Sequence, residues 1–451
     1  MKHPILQTVY TGAAIALCLL PSAGMLLADP VQPAANQLLA PAPHLRNADG
    51  SLNAALLSDV TDYMADHFAF RQELVTAWAG LNAALGTSTQ EDILLGADGW
   101  LYFRDTLDDY MGRGMTDTEL TMAAENLALM QESVIARGGQ FLFTIAPNKN
   151  SLYPDNMPDY IPHQPETSNA ARLPAALAEA GVAYADLFSP FRARPEPLYF
   201  STDSHWTHRG AALAADTLLT ALGRESHWFS GSFPLETPHK GDLYEMLYPA
   251  GTATESDALP EWDFTYDSDP NGGNAITIST QSAAGTGTLL CFRDSFGIAL
   301  HPYLAQSFQT ARFSRQTAYD LTQSDSDVVL IELVERNLDQ LIKIPGVFPA
   351  PERPRPETQS PTETVPIRVQ TGQTAGTAAL QLVTGTLTGA DGAEPVYLAA
   401  GDTCYACTRM TGALPGELDF AAWLPIDAGT ELTVISRTGE TWQAFSGSVE
   451  S

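Results

Sequence analysis

Three continuous apolar runs in the middle of the chain restrict its possible folds more than any other feature of the sequence. The runs are QFLFTIA (140–146), TLLCF (288–292) and DVVLIELV (327–334). Runs without polar alternation are typical of strands buried on both faces, as in parallel sheets that are covered by helices. We therefore predict an α/β domain over residues 46–344, with a mostly parallel sheet and flanking helices.

Helix patterns separate these runs, as crossover connections between parallel strands require. Residues 116–137 have a helical period, a favourable N-terminal residue in Thr116 and two glycines as a stop signal. A second helix is predicted over residues 169–180 and is followed by the short strand VAYADL (182–187). A third helix is predicted to begin after Thr207.

The N-terminal end of the chain differs from this middle region. Residues 11–28 (TGAAIALCLLPSAGMLLA) are apolar and follow Lys2, so we predict that residues 1–28 are a signal peptide or a signal anchor. About 20 apolar residues span a membrane. Because the stretch has 18 and is broken by Pro21, cleavage and anchoring both stay open. Residues 29–45 are interpreted as a tether, and the protein is expected in the periplasm or at the cell surface.

The C-terminal part has a different composition again. Residues 345–366 (PGVFPAPERPRPETQSPTETVP) hold too many prolines to form a core and are predicted to be a semi-extended linker. Short alternating segments with Gly and Asp turns over residues 367–451 indicate a small all-β domain of the β-sandwich type. Cys18 lies in the predicted export segment and Cys291 in an apolar run, so the two cysteines able to pair are Cys404 and Cys407. A disulfide, a redox pair and two free thiols are all compatible with their spacing.

The net charge restricts the partners of this chain. There are 53 acidic and 23 basic residues, which gives a formal charge of −30. This charge repels nucleic acid, so no nucleic-acid partner is predicted. It also argues against a strongly polyanionic polysaccharide as substrate, unless local basic residues offset it.

The segment YFSTDSHWTHRG (199–210) carries an Asp-x-His pair, Asp203 and His205, directly before a predicted helix. In an extended or turn conformation, side chains two residues apart project to the same side. The carboxylate can then accept a hydrogen bond from imidazole Nδ1 and leave Nε2 free to act as a base. A capping loop with a structural histidine is the simpler interpretation of this segment taken alone.

The segment CFRDSFGIAL (291–300) places Ser295 where a buried strand turns into a helix. Such a turn presents the serine hydroxyl at the carboxyl end of the sheet, where α/β folds place their sites. An adjacent imidazole is the usual activator of a serine, and the serine N–H near a helix N-terminus can stabilise an oxyanion. As a single residue Ser295 would be interpreted as a turn residue, but together with the Asp-x-His pair it predicts an acyl-transfer site.

A metal site is the alternative for the same histidines. Asp203, His205 and His208 form a D-x-H-x-x-H cluster that has zinc-ligand residue types. If a helix begins at Thr207, His208 lies on its first turn and points away from the pair. No metal ligand and no cofactor is therefore predicted.

These two segments are similar to the signatures of a known family. DSHW (203–206) and RDSFG (293–297) resemble the alginate O-acetyltransferases of the AlgX/AlgJ type, which are SGNH-hydrolase-like and related to the DHHW group. DHFAFR (66–71), LLGADGWLYF (94–103) and APNKNSLYP (146–154) fit in the same order. As in that family, the Asp-x-His pair precedes the serine, and the motifs extend over about two thirds of the chain.

The resemblance implies Ser295 as nucleophile, His205 as general base and then acid, and Asp203 as the residue that orients it. It also implies a set of substrate-binding residues that match or flank the family motifs: Asn148, Lys149, Tyr153 and Arg293. It further implies a polysaccharide acceptor and a membrane-bound O-acyltransferase partner that supplies acetyl groups. The family's carbohydrate-binding module is not clearly matched by the C-terminal segment.

Rival functions use the same residues differently. A carbohydrate acetyl esterase would use the same three residues but pass the acetyl group to water. A surface protein that binds glycans without catalysis would retain the cleft, and a metal-dependent hydrolase would use the histidine cluster.

Overall fold

The computed structural model describes residues 8–12, 15, 24, 39–323, 325–358, 360–361, 363–371, 380–390, 392–439 and 441–449. The predicted export segment lies almost entirely outside this set, so its fate stays a prediction. Among the described residues, no helix combines the length and the apolar character needed to cross a membrane.

The described elements follow one another in chain order. The α-helices are α1 (Leu56–His67), α2 (Arg71–Ala84), α3 (Leu107–Tyr110), α4 (Asp117–Ala136), α5 (Lys149–Leu152), α6 (Asn169–Glu179), α7 (Phe188–Arg192), α8 (His208–Ala221), α9 (Asp242–Leu247) and α10 (Gly297–Ser307). The strands are β1 (Ile93–Leu95), β2 (Leu101–Phe103), β3 (Gln140–Ala146), β4 (Tyr184–Ala185), β5 (Leu235–His239), β6 (Glu255–Leu259), β7 (Thr265–Tyr266), β8 (Thr277–Gln281), β9 (Thr288–Phe292), β10 (Thr310–Ser314), β11 (Val328–Val334), β12 (Glu352–Arg353), β13 (Glu363–Thr371), β14 (Leu380–Thr388), β15 (Val396–Ala400), β16 (Thr403–Ala406), β17 (Thr408–Thr411), β18 (Glu417–Pro425), β19 (Leu432–Thr438) and β20 (Thr441–Val449). Short 3₁₀ helices span Ala97–Gly99, Arg104–Thr106, Pro154–Asn156, Pro165–Thr167, Asn271–Gly273, Glu335–Ile342 and Ile426–Ala428.

The predicted α/β fold is confirmed by the main sheet. Its strand order is β4-β3-β11-β9-β10-β8-β7, and the pairs from β4 to β10 are parallel, whereas β8 and β7 are antiparallel. The three apolar runs form β3, β11 and β9, which lie side by side and are buried. Their lack of polar alternation follows from helices on both faces: α4 and α6 pack on one face, α8 and α10 on the other.

Helix α4 shows how local sequence sets an element boundary. The Thr116 side chain accepts a hydrogen bond from the N–H of Glu119, and the Glu119 carboxylate accepts one from the N–H of Thr116. This capping box satisfies two N–H groups that would otherwise lack helical partners. The helix stops before Gly138, which has a φ of +83° and no Cβ to oppose it. The helix predicted over residues 116–137 is therefore confirmed.

The C-terminal part is built from strands, in agreement with the predicted all-β domain. Strands β12 to β20 form one sheet in the order β12-β16-β15-β19-β20-β13-β14-β18-β17. The segment interpreted as a linker contributes to it, because β12 pairs with β16 and β13 begins at Glu363. Cys404 and Cys407 are buried free thiols, so of the three states left open the structure has unpaired cysteines.

The α/β and all-β parts share one apolar core. Residues of α4 and of the C-terminal strands belong to the same buried cluster. At this contact the buried Asn126 amide donates to the carbonyls of Leu341 and Arg409, and Asn126 Oδ1 accepts from the Arg409 N–H at 3.0 Å. The C-terminal sheet is therefore packed on the α/β part, with its polar groups paired across the contact.

Candidate active site

Two turns at the carboxyl edge of the main sheet carry the predicted site. Strand β9 ends at Phe292, and Ser295 lies on the short turn before α10. The segment with Asp203 and His205 precedes α8, whose first turn is capped by the Thr207 side chain. Ser295 at the carboxyl end of β9 and His205 on the loop between α7 and α8 are 90 positions apart and converge there.

The structure brings the three predicted residues into one hydrogen-bonded chain. Ser295 Oγ lies 2.8 Å from His205 Nε2, and His205 Nδ1 lies 2.7 Å from Asp203 Oδ1. The His205 backbone N–H also donates to Asp203 Oδ1, at 2.8 Å, which fixes the two residues of the turn against each other. Asp203 is 3% exposed, whereas His205 and Ser295 line a cleft. This is the geometry that serine activation requires, and the catalytic roles stay a prediction.

The serine turn is held by carboxyl groups behind it. Asp294 accepts hydrogen bonds from the N–H groups of Phe296 and Val334, at 2.8 and 2.7 Å. Its neighbour Glu332 is buried, and burial together with the charge of Asp294 raises the pKa of Glu332 well above its usual range. The turn also needs Gly297, because a Cβ there would lie 2.4 Å from Arg293 Cδ. Ser295 is therefore presented by a rigid turn.

Asp203 has more partners than the sequence predicted. Its Oδ2 accepts from His239 Nε2 at 2.8 Å and from the Asp242 N–H at 2.9 Å. Asp242 in turn accepts from the N–H and the hydroxyl of Ser204, and its Oδ2 lies 3.6 Å from His205 Nδ1. No sequence pattern pointed to His239 or Asp242, because they lie on a short exposed strand and a single helical turn.

The pKa shifts at the site follow from this arrangement. Burial alone would raise the pKa of Asp203, but the charges and hydrogen bonds of His205 and His239 hold it well below its usual range. Burial lowers the pKa of His205, but the charge and hydrogen bond of Asp203 outweigh burial and raise it. Burial, followed by the charge of Asp203, raises the pKa of Asp242. Asp203 is thus the ionised centre of the cluster.

A cleft of about 830 Å³ opens in front of Ser295, a volume typical of small-molecule and oligosaccharide-sized sites. Its wall is partly apolar, with Phe103 among the lining side chains. Five acidic residues line it, and so do three basic groups. These are Lys240, Arg315 and Arg336, and the Arg336 guanidinium lies 5.5 Å from the centre of the Phe103 ring.

The metal alternative is not favoured by the contacts. His208 turns away from the pair, as predicted, and its Nδ1 lies 2.5 Å from Asp257 Oδ2. The residues that converge instead are Asp203, His205 and Asp242. Their side-chain oxygen atoms and the imidazole Nδ1 already hydrogen-bond to protein groups, so they are arranged as a hydrogen-bonded cluster.

The four residues predicted to bind substrate do not line the cleft. Arg293 is 4% exposed and donates to the carbonyls of Gly273, Ala275 and Asp294. Asn148 is 1% exposed, and its backbone N–H donates to the carboxylate of Glu335. The Tyr153 hydroxyl accepts a hydrogen bond from the backbone N–H of Leu198, which precedes the Asp-x-His segment. These residues support the turns from behind, because sequence motifs do not reveal which side of a turn a side chain occupies.

Lys149, the fourth of them, is 4% exposed and supports the Asp203 turn directly. Its Nζ donates to the carbonyls of Phe200, Ser201 and Asp203, at 3.2, 3.0 and 2.6 Å. Burial lowers the pKa of Lys149 to about 8, so the amine is still mainly protonated at neutral pH. Lys149 is therefore a buried ammonium group that donates hydrogen bonds to three backbone carbonyls.

We expect Lys149→Met to lower the free energy of unfolding by about 2–3 kcal/mol, because three buried carbonyls lose their donor. Denaturant unfolding measures this change. Lys343→Met is the matched control, since Lys343 is exposed and pairs only with Asp339 on the surface. It should change stability by less than about 1 kcal/mol. Equal stability of the two variants would contradict a supporting role for Lys149.

Comparison with known proteins confirms the resemblance found in the motifs. Residues 93–276 match the family model described as the SGNH hydrolase-like domain of the acetyltransferase AlgX. Over this region the chain resembles AlgX-type SGNH hydrolase-like domains. The matched region contains Asp203 and His205 and ends before Ser295, so the placement of the serine in the site depends on the structural geometry.

Curated relatives point to the same family. The probable alginate O-acetylase AlgJ of Pseudomonas syringae pv. tomato is 28% identical over 207 residues, which are 44% of this chain and 51% of that protein. The AlgJ of Pseudomonas aeruginosa is 25% identical over 266 residues, 56% of this chain and 64% of that protein. The chain thus spans about half the length of the first of these relatives.

Solved structures overlap this chain only loosely. The O-acetyltransferase domain of Pseudomonas putida AlgJ matches with a TM-score of 0.38 and 20% identity, over 56% of this chain and 93% of that one. Pseudomonas aeruginosa AlgX matches with a TM-score of 0.37 and 13% identity, over 73% and 85%. At this level the overlap adds nothing to the resemblance, which depends on the sequence match.

Proposed function

We propose that this protein is an exported O-acetyltransferase that moves an acetyl group through Ser295 to a hydroxyl of an exopolysaccharide or cell-wall glycan. The observation that carries the proposal is the hydrogen-bonded chain from Ser295 through His205 to Asp203 at the wall of an open cleft. The family match and the relatives named as alginate O-acetylases support acetyl transfer. The reaction needs no cofactor.

In the first half-reaction, His205 Nε2 takes the Ser295 proton while Oγ attacks the acetyl carbonyl. The Ser295 N–H lies at the start of α10, where the positive end of the helix dipole stabilises the oxyanion. The carbonyl re-forms, the donor's leaving oxygen departs with the proton from His205, and Ser295 holds the acetyl ester. Asp203 keeps the imidazole oriented and stabilises its positive charge.

In the second half-reaction a sugar hydroxyl enters the same cleft. His205 removes its proton as the hydroxyl attacks the acetyl-serine carbonyl, and the proton then returns to Ser295 Oγ. An exported enzyme has no cytosolic acetyl-CoA at hand, so we propose that a membrane-bound O-acyltransferase delivers the donor. Extracytoplasmic localisation, with or without an N-terminal anchor, belongs to the same proposal.

The acceptor is constrained by the charge of the cleft. Lys240, Arg315 and Arg336 offset the negative charge of the cleft only in part, because five acidic residues line it as well: Asp92, Asp203, Asp242, Glu245 and Asp257. The net charge of the chain is compatible with an anionic polysaccharide only if local basic residues offset it. The charge of the cleft therefore favours a neutral sugar over a polyanionic one as acceptor.

Acetylation of oligosaccharides tests this function. The purified protein is incubated with a chromogenic acetyl ester and with neutral or anionic oligosaccharides, and ester loss and sugar mass are followed together. A mass gain of one acetyl group on the sugar is the expected result. Ester loss with every sugar unmodified would make the protein an acetyl esterase, and no reaction with any pair would favour a glycan-binding role.

The raised pKa of His205 predicts the pH dependence of this reaction. Because the base must be neutral, kcat/KM should fall about tenfold per pH unit below an apparent pKa that lies above about 6.5, the usual imidazole value. Rates of ester cleavage between pH 5 and pH 9 measure it. A profile that stays flat through the weakly acidic range would contradict His205 as the base.

A further inference from the structure

One carboxylate in this site serves two imidazoles. Asp203 Oδ1 lies 2.7 Å from His205 Nδ1, and Asp203 Oδ2 lies 2.8 Å from His239 Nε2. In a serine–histidine–aspartate chain the second carboxylate oxygen needs only a hydrogen-bond donor, and a backbone N–H suffices. Here Asp242 N–H already fills that role at 2.9 Å, so His239 is an additional and titratable partner.

The place of His239 in the fold is well defined. It ends β5, which pairs with β6, and its ring stacks on Phe200 with a centroid distance of 4.0 Å and an interplanar angle of 18°. Its side chain is 34% exposed and lines the cleft, so it exchanges protons with solvent. The charged groups that face it are carboxylates, Asp203 first and then Asp257 and Glu255. The Lys149 ammonium lies behind the Asp203 turn.

The electrostatics of His239 follow from these neighbours. Burial lowers the pKa of His239, but the hydrogen bond and charge of Asp203 outweigh burial and raise it. His239 therefore holds its proton to higher pH than an unperturbed imidazole does. A positive charge on one side of Asp203 weakens the attraction of that carboxylate for a second proton on His205. The two imidazoles titrate as a coupled pair.

We propose that His239 is a positioning residue that clamps the Asp203 carboxylate against His205 and, when protonated, lets His205 act as a base at lower pH than it could beside Asp203 alone. This inference deepens the proposed function and depends on it. No bond to substrate is formed by His239, and its proton stays on Nε2, shared with Asp203 Oδ2.

Two variants of full-length protein separate the two parts of this role. His239→Gln keeps an N–H donor for Asp203 and loses the titration. His239→Phe keeps a ring to stack on Phe200 and loses both the donor and the charge. His227→Gln is the matched control, because His227 is exposed, pairs with Glu225 and lies outside the cleft.

The pH profile of kcat/KM and the plateau of kcat are then compared. For His239→Gln we expect an unchanged plateau and an acidic limb that moves up by about one pH unit, a roughly tenfold loss at the acidic end. For His239→Phe we expect the same upward shift and a plateau about tenfold lower, since the carboxylate is no longer clamped. His227→Gln should keep the profile of the unsubstituted protein.

NMR titration of the His205 imidazole gives a readout that does not depend on activity. The pKa of His205 should be higher in both His239 variants than in the unsubstituted protein. An unchanged His205 titration, together with unchanged pH profiles, would overturn the inference while the proposed function stood. An inactive unsubstituted protein whose His205 titration still shifted would instead overturn the proposed function and leave the coupling intact.

Discussion

Replacement of Ser295 by Ala is expected to abolish acetyl transfer, with kcat lower by a factor on the order of 10⁶, as for removal of the nucleophile in another serine enzyme. The physical reason is that no other hydroxyl has the required geometry in the described cleft: Ser295 Oγ lies 2.8 Å from the Nε2 of an imidazole that is itself oriented by a carboxylate. Without Oγ the acetyl group has no covalent carrier. The rate of ester cleavage and intact-protein mass measure the effect, and the one-acetyl adduct should disappear.

The same substitution should hardly change stability. The hydroxyl makes a single hydrogen bond at the wall of the cleft, so the free energy of unfolding should change by less than about 1.5 kcal/mol. Ser307→Ala is the matched control, because Ser307 ends the same helix α10 and its hydroxyl only donates to the Tyr303 carbonyl. It should retain activity within about twofold, like most substitutions away from a site. Acetyl transfer by Ser295→Ala at the rate of Ser307→Ala would exclude Ser295 as nucleophile.

The parts of this fold that follow from burial could be predicted from sequence. Strands β3, β9 and β11 are covered on both faces, so nearly all of their side chains are buried and apolar. The resulting continuous apolar runs identify these strands in the sequence. The convergence of Ser295 and His205 could be predicted for a similar reason. Ser295 follows β9 directly and His205 lies directly before α8, so both are at ends of secondary-structure elements that the crossover topology can bring together.

Contacts between loops could not be predicted in this way. His239 and Asp242 reach Asp203 across 36 and 39 residues of chain, through a hairpin whose positions are largely exposed. No periodicity marks such a segment, because only one or two of its side chains face the site. Lys149 shows the converse: its motif was recognised, but the side chain points into the fold and holds carbonyls.

Composition was also a limited guide in the segment 345–366. Its prolines indicated an extended chain, and extended chain is what β12 requires. The prediction of an unpacked linker does not describe residues such as Ala350 and Val365, which are buried against the core. A proline-rich stretch can add strands at the edge of a sheet where its missing N–H groups face away from the neighbouring strand.

Replacement of Asp203 by Asn is the second substitution with a large expected effect, a fall in kcat on the order of 10⁴-fold. The carboxylate accepts from the backbone N–H and Nδ1 of His205, from His239 Nε2 and from the Asp242 N–H. An Asn amide offers one accepting oxygen and an NH₂ group that accepts nothing. If the NH₂ faces His205, the imidazole takes the tautomer with the proton on Nε2, which cannot accept the proton of Ser295.

If the NH₂ faces the other way, the Asp242 N–H loses its acceptor, so either orientation has a cost. The loss of a buried acceptor should lower the free energy of unfolding by about 1–3 kcal/mol. Removal of the negative charge also lowers the pKa of His205, so the residual activity should persist to lower pH than in the unsubstituted protein. The pH profile thus distinguishes a lost orienting charge from a merely damaged fold.

Asp216→Asn is the control that matches this substitution in kind. Asp216 accepts from the N–H groups of Trp228 and Phe229 and from the Ser226 hydroxyl, and it lies outside the cleft. It should lose a similar amount of stability and keep its kcat within a few-fold, because no residue of the proposed chain depends on it. Equal loss of kcat in Asp203→Asn and Asp216→Asn would mean that Asp203 acts through the fold alone, and the proposed orientation of His205 would be wrong.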